Sequence, residues 1–150
     1  MSPSQRRSIY LAERLANMLN LDQDEPDGLS ARINAIADRY AYLLSLITPP
    51  AFSRAEWLLM ADACSGWASA QEPAETLVGA VAAEVEDSLP DGLSGKWGLT
   101  DVQARALCRR LKALSPAENI WLVEKIERFR RHSGLSHDEA MQAAGIVPEA

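Results

Sequence analysis

The sequence predicts a mainly α-helical protein in two parts. Residues 1–47 read as one short strand and two helices that pair with a second copy, and residues 51–150 as a helical bundle. Three observations predict this. Arg6 to Leu11 alternates polar and apolar side chains with a period of two, the pattern of a strand with one buried face. Thr48-Pro49-Pro50 interrupts a helical pattern that begins at Leu29, because a proline pushes the residue before it out of the α region. Beyond the prolines, four Ser/Thr-x-x-Glu/Gln capping boxes each precede an amphipathic run.

In the strand, Ile9 and Leu11 share one face and Arg6, Ser8 and Tyr10 the other. A guanidinium, a hydroxyl and a phenol at alternate positions can reach base edges in a major groove, which admits a two-stranded ribbon. A lone strand is unstable, and no later segment reads as its partner. A strand here therefore implies a homodimer, with two copies paired antiparallel. Ile9, Ala12, Leu15, Ala16 and Leu19 also fit a 3.6-residue period, so one amphipathic helix over Ser4 to Leu19 is the other reading of the same residues.

After Leu21 comes an acidic turn, Asp22 to Gly28, and then a second helical run with Ile33, Ile36, Ala37, Tyr40 and Leu44 on one stripe and Ser30 placed as N-cap. Strand, helix, turn and capped helix, carried by RRSIYLAERLANML and GLSARINAIADRYAYLL, resemble the ribbon-helix-helix DNA-binding family of the Arc and methionine repressors. The resemblance covers about residues 5–46. It implies double-stranded DNA as partner, with Arg6, Ser8 and Tyr10 reading bases. It also implies that Ser30 and the backbone N–H groups of Ala31 and Arg32 hold a phosphate, a role suited to the unpaired donors of a helix N-terminus. Two features depart from the family pattern: Arg7 falls at an inward position, and the turn is acidic for a segment lying beside phosphates.

With 150 residues and 47% hydrophobic composition, the chain can bury a core, and it has no apolar run long enough to span a bilayer. No signal peptide is recognisable, so the expected location is cytoplasmic, with no membrane partner. The net charge of −6 is unevenly spread. Residues 1–20 carry three arginines against one glutamate, residues 47–98 two basic against eight acidic, and residues 99–150 eight basic against seven acidic. Positive charge is thus concentrated at the expected ribbon, which suits a specific binder with a modest salt dependence. Cys64 and Cys108 stand alone in separate helical segments and read as small buried hydrophobes.

In the second part the capping boxes pair Ser53 with Glu56, Thr100 with Gln103, Ser115 with Glu118 and Ser136 with Glu139, and Pro73 with Glu75 marks a fifth start. The expected inward faces are Trp57, Leu58, Met60, Ala61 and Cys64; Leu77, Val78, Val81 and Val85; Val102, Ala106, Leu107 and Leu111; and Ile120, Leu122, Val123, Ile126 and Phe129. Gly134 and Gly145 read as helix stops. Ser88 to Leu99 reads as the one long loop, with Trp97 either folded back over the bundle or held out for a partner. Pro-Asp-Gly-Leu-Ser occurs at 26–30 and again at 90–94, a repeated turn idiom.

No phosphate loop, nucleophile elbow, HExxH or CxxC motif is present, so no cofactor and no enzyme are expected. His132 and His137 flank Gly134, but two ligands in a charged turn are more often solvated than metal-bound. Asp22, Asp24 and Asp27 miss the calcium-loop spacing. The expected function is sequence-specific DNA binding by a dimeric β-ribbon. By the resemblance, the protein acts as a transcriptional repressor or accessory factor of a mobile element, and its helical part is open to a protein partner. The alternatives are an all-helical protein-interaction module that does not touch DNA, and the antitoxin of a toxin–antitoxin pair.

Overall fold

The structure is a computed structural model and describes residues 28–64, 72–90 and 92–150. The expected strand at 6–11, the helical run at 12–21 and the acidic turn before Gly28 lie outside the described residues. Among the described residues there are seven helices and no sheet: α1 (Gly28–Ser45), α2 (Arg54–Ala63), α3 (Ala74–Asp87), α4 (Leu93–Lys96), α5 (Asp101–Lys112), α6 (Pro116–Arg131) and α7 (His137–Ala143). The chain divides into two units, one ending at Ser45 and one spanning Leu46–Ala150.

In the first unit, α1 begins two residues before Ser30, which is therefore its third residue and not its N-cap. The helix ends at Ser45, ahead of Pro49 and Pro50, which belong to no helix. Within one chain none of residues 30–45 is fully buried. Ile33, Ile36 and Leu44 are half-buried, and Tyr40, Tyr42 and Leu43 are exposed.

The second unit is built on its caps. Thr100, Ser115 and Ser136 each accept a bond from the N3 backbone N–H and each donate their own backbone N–H to the N3 side-chain oxygen, so three capping boxes are complete. The fourth is half made. Ser53 accepts from the Glu56 N–H, but the Glu56 carboxylate is taken by Arg110. Pro73 occupies the N-cap of α3, one residue earlier than a first-turn position, where its missing N–H costs nothing.

α3 lies at the centre, packed on α5 and α6, while α2 packs on α3, α4 and α6, and α7 closes on α6. The core comprises Phe52, Leu59, Met60, Val81, Val85, Leu107, Leu111, Leu122 and Ile126, all at most 2% exposed. Two sequence expectations are corrected here. Val102 is 75% exposed, because the inward face of α5 runs through Ala104, Leu107, Cys108 and Leu111, and Val102 lies on the opposite side of the helix. The stretch expected as one long loop contains α4, whose Ser94 is fully buried.

The chain end is tied to its unit. The Glu149 N–H donates to the Phe52 carbonyl at 2.8 Å, forming a parallel bridge beside Ser53. Gly145, with φ of 70°, ends α7, and Lys125 of α6 donates to the carbonyls of Ala144 and Gly145 at 3.3 and 3.0 Å.

Candidate functional site

Of the residues predicted to meet DNA, Arg6, Ser8 and Tyr10 lie outside the described residues. Ser30, Ala31 and Arg32 fall in the first turn and a half of α1. In a helix beginning at Gly28 the N–H groups of the first four residues, Ser30 and Ala31 among them, have no acceptor within the helix, and Arg32 falls one residue beyond. No acidic side chain stands in that first turn to compete with an anion.

The second unit carries a cleft of about 550 Å³ that the sequence does not announce. α2 supplies Asp62 to it, the end of α4 Lys96 and Trp97, α6 Phe129 and Arg130, and the turn into α7 His132 and then His137. At its centre one carboxylate oxygen of Asp62 accepts from Lys96 Nζ at 2.7 Å and from the Trp97 indole N–H at 3.0 Å. These donors hold the Asp62 carboxyl below its ordinary range, the Lys96 bond first, against an opposing desolvation. The ammonium of Lys96 also stands 5.2 Å from the centre of the Trp97 ring.

Trp97 is half-buried against the core, so of its two sequence readings the folded-back one is realised. Its ring meets His137 edge-on at 5.5 Å, and His137 in turn lies 6.3 Å from Phe129. Arg130 spans the cleft's inner end, donating to the Cys64 carbonyl at 2.7 Å. Burial pushes the thiols of Cys64 and Cys108 up, and the Cys108 thiol donates to the Ala82 carbonyl at 3.4 Å.

The sequence reading singled out Trp97, His132 and His137 but missed Asp62, Lys96 and Arg130. Asp62 is 34 and 35 residues from the side chains it holds, a separation that no periodicity or capping rule spans. His132 and His137 do share the cleft, and among the described residues no group of three His, Cys, Asp or Glu side chains converges as a metal set would. No described helix is long and apolar enough to cross a membrane.

Among the described residues, then, the chain is helical in both units, and its second unit carries an aromatic, cation-lined cleft. Comparison with protein-family models, with curated proteins and with solved structures returns no match.

Proposed function

We propose that this chain is a homodimeric, sequence-specific DNA-binding protein, a transcriptional repressor or accessory factor. Residues 1–47 are its reader and dimer interface, and the bundle is its regulatory part. The observation that supports this is the face of α1. An 18-residue helix carries Ile33, Ile36, Tyr40 and Leu44 on one stripe, yet no residue from 30 to 45 is fully buried within one chain. Such a stripe gains stability when a second copy packs on it, in a dimer whose two strands pair antiparallel and bury Ile9 and Leu11 on the helices beneath. Arg6, Ser8 and Tyr10 are then the base readers, and the first turn of α1 at Ser30 meets a phosphate.

The same half-exposed face also suits an all-helical interaction module whose α1 docks on a different protein. The two readings part in one experiment. The full chain is sized by sedimentation over a range of concentrations and carried through selection from a random duplex library. A dimer that enriches a palindromic sequence, and loses it on Arg6→Ala by about 1–3 kcal/mol, supports the DNA reading. A monomer that enriches nothing overturns it in favour of the interaction module.

A further inference from the structure

We infer that the cleft between α2, α4 and α7 binds a small planar aromatic anion, a ring bearing a carboxylate or comparable acidic group. This goes beyond DNA binding and does not depend on it. Three observations converge. At about 550 Å³ the cleft has the size of a small-molecule site and not of an extended protein groove. One wall is aromatic, built from Trp97, His137 and Phe129, whose ring centres are at most 6.3 Å apart in sequence along the wall. Offset or edge-on packing on such a wall favours a flat ring over a flexible aliphatic chain.

The third observation is charge. Residues 46–150 hold ten basic and fifteen acidic residues, yet among the described residues lining the cleft Lys96 and Arg130 stand against the one carboxylate of Asp62. That carboxylate is already engaged by Lys96 and Trp97, so a cationic ligand would have to displace a lysine held at 2.7 Å. An anion meets no such competitor. Its acidic group finds the His132 ring and the Ser133 hydroxyl lining the cleft, side chains with no hydrogen bond among the described residues, while its ring lies against Trp97. The ligand would touch α2, α4, α6 and α7 together, elements joined at this end by the Asp62 bonds, the Arg130 bond to Cys64 and the ring contacts of His137 with Trp97 and Phe129.

The test uses the full chain labelled with nitrogen-15. Indole-3-carboxylate and its uncharged match, indole-3-carboxamide, are titrated while the indole N–H signals are followed, Trp97 being assigned from a Trp97→Phe variant. The expected result is a saturable shift of the Trp97 signal with the carboxylate, at an affinity at least about tenfold above that for the amide. His132→Ala together with Ser133→Ala, both lining the cleft, should lower carboxylate affinity severalfold and leave thermal stability and amide binding unchanged. No saturable shift of Trp97 up to about 10 mM carboxylate overturns the site. Equal affinity for the amide overturns the anionic class.

Discussion

Removing the Asp62 carboxylate tests whether one side chain holds α4 to the bundle. In Asp62→Ala the Trp97 N–H loses a charged acceptor at 3.0 Å in a half-buried position, a loss of about 1.5–3 kcal/mol. The Lys96 pair adds only ~0.2–1 kcal/mol, because the lysine side chain is 59% exposed and solvent screens it. The expected total is about 2–4 kcal/mol, read by urea unfolding followed through tryptophan fluorescence. Asp62→Asn keeps an acceptor for Trp97 and loses only the charge, so it should cost roughly half as much. The pH dependence has a definite sign. The folded carboxyl titrates below its ordinary value of 3.8, so its stabilisation is complete above that value and is lost as the pH falls through the folded one. The gap between the parent chain and Asp62→Asn should therefore close on acidification below that point. A cost under about 0.5 kcal/mol for Asp62→Ala, or a gap that widens in acid, refutes the reasoning.

Other expectations follow from burial and backbone geometry. Leu107→Ala, at a fully buried position, should cost about 2–5 kcal/mol, while Val102→Ala on the same helix should stay within about 0.5 kcal/mol in the same denaturation assay. Gly145→Ala should destabilise by about 1–2 kcal/mol, because φ is 70° and the new Cβ would meet Lys125 Nζ at 2.9 Å. Gly79→Ala, inside α3 with nothing within 4 Å of the added atom, should instead stabilise by roughly 0.5–1 kcal/mol. Ile36→Glu on α1 should convert a dimer to a monomer in sedimentation and leave the unfolding midpoint of the Leu46–Ala150 unit unchanged; persistence of the dimer would remove α1 from its interface.

The helix starts of the second unit were legible because capping is a local transaction. Thr100 with Gln103, Ser115 with Glu118 and Ser136 with Glu139 lie three residues apart, and their bonds form whatever surrounds them. The Ser53 box failed in its second half for a tertiary reason. Arg110, 54 residues away, draws off the Glu56 carboxylate and also donates to the Ala51 carbonyl. Inward faces were legible where one apolar stripe dominates, as with Leu77, Val78, Val81 and Val85 on α3. They were misread on α5, where Ala104 and Cys108 are the small residues that let α3 approach and Val102 is merely apolar.

By itself, then, the sequence determined that the second part is helical, where most of its helices begin and that Trp97 was the aromatic side chain to watch. It also carried the ribbon-helix-helix resemblance of residues 5–46, whose base-reading side chains lie outside the described residues. Only the tertiary structure decided that Asp62, Lys96 and Trp97 meet, that His137 stands against Trp97 and that a cation-lined cleft opens beside them. The physical reason is range. Caps and periodicity act within a turn or two of chain, whereas a cleft is assembled by side chains from four helices that only packing brings together.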